Sequence, residues 1–201
     1  MKVALLTSVA GNGGSAHTAF QTARLLARAG HAATLFAPGD YWAERGRKEG
    51  VAVNARLELR RGLRPLSFLH DFRILRRFLA AEGADAVIVQ KSPEQWLAHF
   101  VIATLARQPA LVRMRGVVFA IQPGFFNRRL HNRMECVLCS ASVIARQYEQ
   151  LPGFRMEHVQ VLLEGVDTQR FAPAAPEERK AARERFQLDP EAFIIGTAGR
   201  P

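Results

Sequence analysis

The sequence predicts an α/β fold with a Rossmann-like, doubly wound parallel sheet of about seven strands and helices on both faces. Three observations support this class. Short apolar runs alternate with segments of helical periodicity along most of the 201 residues, which is typical of a parallel sheet with crossover helices. The apolar runs lack a polar face, as expected of strands covered on both sides. A glycine-rich turn joins the first run to the first helical segment, at the edge where open α/β sheets bind ligands.

The first strand, turn and helix form the unit around which the rest of the chain is arranged. Residues 3–7 are the strand, the turn contains Gly13 and Gly14, and the helix is expected to begin at a Ser15 cap and end at Gly30. Glycines let the backbone approach a phosphate, and the helix N-terminus offers unpaired N–H groups and a partial positive charge. We therefore expect Gly13 and Gly14 to face a phosphate. A tight turn without any ligand is the alternative.

The same turn fits a loose dinucleotide fingerprint, G-x-G-x-x-A, through Gly11, Gly13 and Ala16. In that fingerprint an acidic residue at the end of the second strand binds the ribose. Here the second strand, residues 34–37, runs into a Pro-Gly turn without one. A nicotinamide-dependent oxidoreductase is therefore only an alternative interpretation.

The remaining pattern supplies the other elements. Further strands are expected at residues 51–53, 86–89, 110–114, 136–139 and 159–162. Helices are expected at residues 66–81, from Pro93 onward, within residues 123–133, at residues 142–150 with Ser140 or Ser142 as cap, and at residues 177–186. Residues 40–50 are expected to be a polar loop and residues 56–64 a basic connection.

The composition changes near the C-terminus, where a Pro/Ala segment at residues 172–176 interrupts the alternation. We divide the chain into a Rossmann-like domain at residues 1–171, a linker with a short helix at residues 172–190, and a further strand within residues 191–201. That strand, centred on residues 193–197, enters another glycine turn. It is expected to be the first strand of a second α/β domain that has been cut off.

The net charge is +10, mostly from arginine spread along the chain. This favours anionic partners such as phosphates, acidic glycans or lipid headgroups, although an arginine-rich surface without a partner fits equally well. No helix-turn-helix or RNA-binding motif is present, so no nucleic-acid partner is expected. No apolar run reaches the roughly 20 residues that span a bilayer. With two cysteines and no signal peptide in the sequence, we expect a cytoplasmic protein.

Metal and redox sites are not indicated by the sequence. The six histidines lack metal-site spacing, so no metal is expected. Cys136 and Cys139 have C-x-x-C spacing, but they lie in an apolar strand, where positions three apart face opposite sides. We interpret both as ordinary buried cysteines.

Three charged or titratable residues lie near the predicted ligand edge. Arg113 and Arg115 follow the fifth strand, and guanidinium groups suit carboxylates and phosphates. A solvated, self-repelling surface is the alternative for them. His17 is near the start of the first helix, beside the glycine turn, where it could reach a ligand or be an ordinary first-turn residue.

The segment after the seventh strand reads Glu164-Gly165-Val166-Asp167, and Arg170-Phe171-Ala172-Pro173 follows shortly. It resembles the Asn-Gly-Val-Asp…Phe-x-Pro signature of the GT-B glycosyltransferases, in particular the retaining family 4. Other segments resemble parts of the same family in the right order. They are the first strand and glycine loop at residues 1–14, the helix-to-strand turn at 29–35, the strand end with a capping serine at 139–142, and the Gly-Arg strand at 193–200.

The resemblance implies a two-domain enzyme with a nucleotide-sugar co-substrate and no other cofactor, of which this chain is the N-terminal, acceptor-side half. In such an enzyme Gly13 and Gly14 approach the donor phosphates, and Arg200 neutralises the pyrophosphate that leaves. Because the donor half is absent, the chain alone is expected to be inactive. The acceptor-side candidates are His17, Arg113, Arg115 and Glu164.

Two departures from the family pattern leave the catalytic residue unassigned. Glu164 stands where asparagine is usual, and the loop after the fifth strand lacks the histidine that many members carry. The spacing around Arg113 and residues 127–130 is more like members that act on lipopolysaccharide core sugars. We therefore expect a cell-envelope glycan or a lipid-linked molecule as acceptor. A basic α/β domain that binds anionic ligands is the alternative from another functional class.

The helix at residues 66–81 carries an apolar stripe preceded by Arg60, Arg61 and Arg64. The stripe consists of Phe68, Leu69, Phe72, Leu75, Phe78 and Leu79. We favour the interpretation that it covers the sheet, as a crossover helix must. The alternative is that the stripe enters the headgroup region of an anionic membrane while the arginines bind lipid phosphates. Both hold if the stripe covers the sheet and the lipid is touched by arginines alone, namely Arg60, Arg61, Arg64 and Arg73. The protein would then be attached peripherally to the inner membrane.

Overall fold

The computed structural model describes residues 1–60, 62, 64–122, 124–169 and 171–197. The chain divides into two compact units, Met1–Leu163 and Glu164–Pro201.

The first unit is built on a seven-stranded parallel sheet, which confirms the predicted fold class. The strands are β1 (Lys2–Leu6), β2 (Ala32–Phe36), β3 (Ala52–Asn54), β4 (Ala86–Val89), β5 (Ala110–Arg115), β6 (Cys136–Cys139) and β7 (Val159–Val161). Their order is β3-β2-β1-β4-β5-β6-β7, and every neighbouring pair is parallel. The carboxyl ends of β1 and β4 are therefore adjacent where the strand order reverses, which is the place where such folds bind ligands.

The helices of this unit lie between consecutive strands. They are α1 (Gly14–Arg28), α2 (Asp40–Glu49), α3 (Pro65–Glu82), α4 (Ser92–Ile102), α5 (Phe125–His131) and α6 (Ser142–Ala145), with 3-10 turns at Arg146–Tyr148 and Met156–His158. No helix of the described residues is both long and apolar enough to cross a membrane.

Helices cover both faces of the sheet. Alternate residues of β1 point to opposite faces and therefore belong to different hydrophobic cores. Val3 and Leu5 pack with residues of α1 and α2, whereas Ala4 and Leu6 pack with residues of α3 and α4. A third cluster joins β6 to α6 and its 3-10 turn. The apolar runs that predicted the sheet are thus buried from two sides.

The predicted polar loop at residues 40–50 is wrong, since these residues form α2. The helix is mostly charged, and its buried side chain is Trp42, whose indole Nε1 donates a hydrogen bond to the carbonyl of Val9 at 3.0 Å. Gly46 is also buried there, against β3. α2 therefore packs on the sheet through one tryptophan and one close glycine contact, whereas the other long helices pack through an apolar stripe.

The predicted serine caps are also wrong. Gly13 is the N-cap of α1, so Ser15 lies inside the helix. Ala141 precedes α6, and neither Ser140 nor Ser142 occupies the cap position. The expected helix at residues 142–150 is one α-helical turn followed by a 3-10 turn.

The second unit contains α7 (Pro176–Arg185), close to the expected charged helix. Glu178 Oε2 accepts a hydrogen bond from the backbone N–H of Ala175 at 3.1 Å, and Arg183 Nη2 donates to the carbonyl of Ala192 at 2.9 Å. The expected strand at residues 193–197 is not formed; Phe193 and Ile195 are largely exposed. A strand requires a hydrogen-bonded neighbour, and the described residues of this unit contain none.

Candidate functional site

The carboxyl edge of the sheet brings the glycine turn after β1 close to the start of α4. Glu94 is fully buried and joins the two. Its Oε1 accepts a hydrogen bond from the backbone N–H of Ser8 at 2.5 Å, and its Oε2 accepts one from the backbone N–H of Lys91 at 2.6 Å. Such charge-assisted bonds rigidify both loops. The sequence carried a signal for this residue, because glutamate at the third helical position beside a proline is typical of a helix start.

Gly13 and Gly14 lie at the N-terminus of α1, as predicted. The carbonyl of Gly13 accepts the first helical hydrogen bond, from the backbone N–H of His17 at 2.8 Å. Gly14 is exposed, and a Cβ built on it would have no atom within 4 Å. The first N–H groups of a helix have no helical acceptor. This turn therefore presents open space and backbone donors to an incoming anion.

His17 lies between α1 and α2. Arg45 Nη1 is 3.3 Å from His17 Nδ1, and Gln21 Nε2 is 3.3 Å from His17 Nε2. Arg45 also donates from Nε to Glu49 Oε1 at 2.7 Å and lies 4.7 Å above the Phe20 ring. These contacts tie α2 to α1, so His17 has a structural role whether or not it reaches a ligand.

Arg113 and Arg115 are buried on one face of β5, being 5 % and 6 % exposed. This excludes the solvated surface considered for them. Arg115 Nη2 donates to Gln147 Oε1 at 2.9 Å and to the carbonyl of Phe119. Gln147 Nε2 in turn donates to the carbonyl of Val118 at 2.5 Å. Arg115 therefore anchors the loop that follows β5.

Arg113 has no comparable anchor. Its Nε and Nη1 atoms have no hydrogen-bond partner among the described residues. Burial lowers the pKa of Arg113, and the charge of Arg115 lowers it further, while Tyr148 and Glu94 act in the opposite direction. A guanidinium stays protonated throughout the ordinary pH range, so a buried positive charge lies next to the carboxyl end of β5.

Two further members of this cluster, His131 and Tyr148, were missed by the sequence analysis. Their ring centroids are 5.5 Å apart, and both side chains are buried. Burial lowers the pKa of His131 to about 3, with repulsion from Arg113 and Arg115 as the next causes. Burial also raises the pKa of Tyr148 to about 12, against the effect of both arginines. Both rings are consequently neutral, and we name Arg113, Arg115, His131 and Tyr148 the β5 cluster.

The other predicted site residues are not part of this cluster. Glu164 is exposed and begins the second unit, and Arg200 lies outside the described residues. Cys136 and Cys139 are free thiols whose pKa values are raised by burial, and Cys139 is buried as expected whereas Cys136 is half-buried. Within the described part of the chain, no three His, Cys, Asp or Glu side chains are grouped so that they could bind a metal.

Comparison with known families decides between the interpretations left open by the sequence. Residues 13–165 match the model of the glycosyl transferase 4-like domain. The chain belongs to this glycosyltransferase family. The match begins at the glycine turn and ends at the Glu164-Gly165 segment, so it contains β2 to β7 and α1 to α6, while β1 precedes it. No curated protein matches the chain.

Solved structures show the same fold. A glycosyltransferase from Rickettsia africae ESF-5 matches with a TM-score of 0.76 and 13% identity, over 94% of this chain and 50% of that one. The lipopolysaccharide outer core galactosyltransferase WaaB matches with a TM-score of 0.63 and 13% identity, over 83% and 46%. A UDP-GlcNAc 2-epimerase from Methanocaldococcus jannaschii matches with a TM-score of 0.58 and 13% identity, over 80% and 45%.

The first unit therefore has the fold of the N-terminal domain of a GT-B protein. The chain spans about half the length of each of these structures. At such identities the likeness concerns the fold, which transferases and epimerases share. The family match is what distinguishes a glycosyltransferase domain from an epimerase domain.

Proposed function

We propose that this chain is the acceptor-side half of a retaining glycosyltransferase, which transfers a sugar from a nucleotide-sugar donor to a cell-envelope glycan or lipid-linked acceptor. The family match over residues 13–165 is the observation that carries the proposal. The likeness to WaaB favours an acceptor of the lipopolysaccharide type. The nucleotide sugar is a co-substrate, and no other cofactor is invoked.

The glycine turn would contribute to departure of the nucleoside diphosphate. Negative charge grows on that leaving group in the transition state, and preorganised N–H donors stabilise it there. Gly14 leaves the space in front of the first turn of α1 empty, and Glu94 holds the preceding loop through Ser8. Arg200, which lies outside the described residues, is proposed to add a positive charge at the same diphosphate.

A Gly14→Ala substitution tests this function in the whole protein that the gene encodes. The added methyl group would meet no protein atom within 4 Å, so the melting temperature should not fall. It would occupy the space of the donor phosphates, and we expect sugar transfer to drop at least tenfold, or about 1.4 kcal/mol in barrier. The measurement is incorporation of labelled sugar from UDP-, GDP- or ADP-sugars into a bacterial envelope lipid and glycan extract.

The assay also separates the proposal from its alternatives. Incorporation into a glycan or lipid product supports transfer. A C2-epimer of the nucleotide sugar as the enzymatic product would contradict it, as would binding of envelope extract without any nucleotide-sugar turnover. Full activity of the Gly14→Ala variant would contradict the role given to the glycine turn.

We further infer that the first unit attaches peripherally to the anionic inner surface of the cell membrane. The apolar stripe of α3 divides into two parts. Leu75 and Leu79 are buried against the sheet, whereas Phe68 and Leu69, near the start of the helix, are exposed. The buried end of the helix covers the sheet, and the exposure of the other end supports the proposal that it meets the membrane.

The exposed end of α3 continues into an aromatic surface on α4. The Phe68 and Phe100 ring centroids are 6.0 Å apart, and Trp96 stacks on Phe100 at 5.7 Å. We name Leu66, Phe68, Leu69, Trp96 and Phe100 the α3–α4 apolar surface. Surfaces of this kind insert into the boundary between headgroups and acyl chains.

Arginines border the α3–α4 apolar surface on two sides. Arg64 is the N-cap of α3, and Arg60, which lies four residues earlier in the chain, forms an ion pair with Glu58 at 3.1 Å. On the other side, the His99 ring lies 5.4 Å from Phe100. Arg133 lines the same pocket as His99. The pKa of His99 is lowered by burial and then by the charges of Arg133 and Arg129. Each basic residue near an anionic membrane contributes about 1 kcal/mol to the binding free energy. Burial of the apolar surface and attraction of the arginines to lipid phosphates therefore both favour binding.

A further inference from the structure

The β5 cluster contains more buried hydrogen-bond donors than acceptors. Among the described residues, no partner is present for Arg113 Nε, Arg113 Nη1, Arg115 Nε, His131 Nδ1 or the Tyr148 hydroxyl, so the guanidinium donors outnumber the ring groups that could accept. An unpaired buried donor costs about 1–3 kcal/mol, and a charged one costs more. Native interiors rarely retain such groups unless they are paired in another state of the protein.

The available counter-charge does not satisfy these donors. Glu94 is the carboxylate whose charge acts on Arg113, but both of its oxygens accept backbone hydrogen bonds from Ser8 and Lys91. Two guanidinium groups and one carboxylate leave a net charge of +1. Because His131 and Tyr148 are neutral, they do not change this balance. One monoanion would neutralise the site and supply the missing acceptors.

The β5 cluster lies beside the carboxyl edge of the sheet, where its unpaired nitrogens are buried. Arg115 is the last residue of β5, at the carboxyl edge, and β5 neighbours β4 in the sheet. Arg115 already binds the Phe119 carbonyl and Gln147, whereas two nitrogens of Arg113 remain unpaired. Arg113 therefore has the larger unused hydrogen-bonding capacity, whereas Arg115 holds the adjacent loop and adds charge.

We propose that Arg113, assisted by Arg115 and the Tyr148 hydroxyl, binds a carboxylate of the acceptor, so that the acceptor is an acidic sugar. This rests on the proposed glycosyl transfer and narrows its substrate class. A carboxylate carries one negative charge and matches the net charge of +1, whereas a phosphate monoester at neutral pH carries nearly two. Guanidinium groups bind carboxylates through strong charge-assisted hydrogen bonds.

A titration of the 201-residue chain with glucuronate tests the assignment directly. Glucose is the matched neutral sugar, inorganic phosphate is the second anion, and sodium chloride keeps the ionic strength constant. The observable is the ¹H–¹⁵N signal of arginine Nε–H groups. We expect saturable shifts of the Arg113 and Arg115 signals with glucuronate, no shifts with glucose, and weaker binding of phosphate. Absence of saturable shifts, or tighter binding of phosphate, would overturn the carboxylate assignment.

An Arg113→Met variant separates binding from folding. It removes an unpaired buried charge, so its melting temperature should equal or exceed that of the original chain, while glucuronate binding is lost. Arg28→Met, which removes an exposed arginine from the last turn of α1, should leave binding unchanged. A strongly destabilised Arg113→Met variant would show that Arg113 is a structural residue, and retained binding would equally overturn the proposal. Arg113→Lys, which keeps the charge but not the planar guanidinium, should bind at least about tenfold more weakly.

The result is independent of the outcome of the transfer assay. Sugar transfer to a neutral acceptor by the whole protein, together with no glucuronate binding, would refute the acidic acceptor and leave the glycosyltransferase function intact. Specific glucuronate binding at Arg113 supports the site even where the transfer assay finds no product.

Discussion

His131 illustrates at the residue scale how the β5 cluster links stability to pH. The ring packs against Tyr148 and lies near two buried arginines, and burial lowers its pKa to about 3 from the usual 6.5. The unfolded chain therefore binds a proton below pH 6.5 that the native protein does not bind. The contribution of this group is constant above pH 7, and stability falls as the pH decreases from 6.5 towards 3.

A His131→Phe variant should lose this acid sensitivity. It keeps a ring against Tyr148 but cannot be protonated. Denaturant unfolding between pH 7 and pH 4 should show that the original chain loses about 1 kcal/mol more per pH unit than the variant does, once the pH is below 6.5. Parallel pH profiles of the two proteins would contradict the buried, neutral state of His131.

The residues of the candidate site were only partly predictable from the sequence. Gly13 and Gly14 could be placed because they follow an apolar strand, and Arg113 and Arg115 because they lie in the last three residues of one. The carboxyl ends of parallel strands share one edge. Glu94, His131 and Tyr148 come from helices or their ends, where the sequence does not reveal which side faces the neighbouring strand. The burial of Arg113 was unexpected for a different reason, since charge alone predicts an exposed side chain.

At the scale of elements, strands were predicted more reliably than helices. All seven strands of the sheet begin within two residues and end within one residue of the predicted positions. The missed element is α2, which has a buried tryptophan and a buried glycine but no continuous apolar stripe. Periodicity detects helices that are covered along their length, and α2 is covered at two positions. Residues 193–197 show the opposite error, because an apolar run forms no strand without a neighbour.

Gly46 makes the packing of α2 testable. A Cβ added there would lie 2.5 Å from Val53 Cγ2 and 2.6 Å from the carbonyl oxygen of Val51. Gly46→Ala should therefore destabilise the protein by about 1–3 kcal/mol through overpacking, although helix propensity alone predicts a gain of nearly 1 kcal/mol.

Urea unfolding measures the sign of the Gly46→Ala effect. Gly14→Ala is the matched control, since it is also a helical glycine but has open space around its Cβ position, and it should be neutral or slightly stabilising. Equal stabilisation by both substitutions would refute the close contact between α2 and β3.

At the scale of the whole molecule, both the net charge of +10 and the aromatic surface bordered by arginines favour binding to an anionic membrane. General attraction of a basic protein to an anionic membrane depends on total charge. Attachment through the α3–α4 apolar surface depends instead on where the charges lie. Two sets of substitutions that change the net charge equally, one beside this surface and one away from it, distinguish attraction by total charge from attachment through the surface.

Co-sedimentation with liposomes provides this test. We expect binding to vesicles that contain anionic phosphatidylglycerol, little binding to neutral phosphatidylcholine vesicles, and loss of binding as salt is raised, because charges near a membrane are screened over about 10 Å at 0.1 M. Replacing Arg60 and Arg64 by glutamate should abolish most of the binding. Replacing the exposed Arg47 and Lys48 of α2 by glutamate changes the net charge by the same amount and should have only a small effect on vesicle binding. Equal binding to neutral and anionic vesicles, or equal losses in the two double variants, would show that the α3–α4 apolar surface does not direct the protein to the membrane.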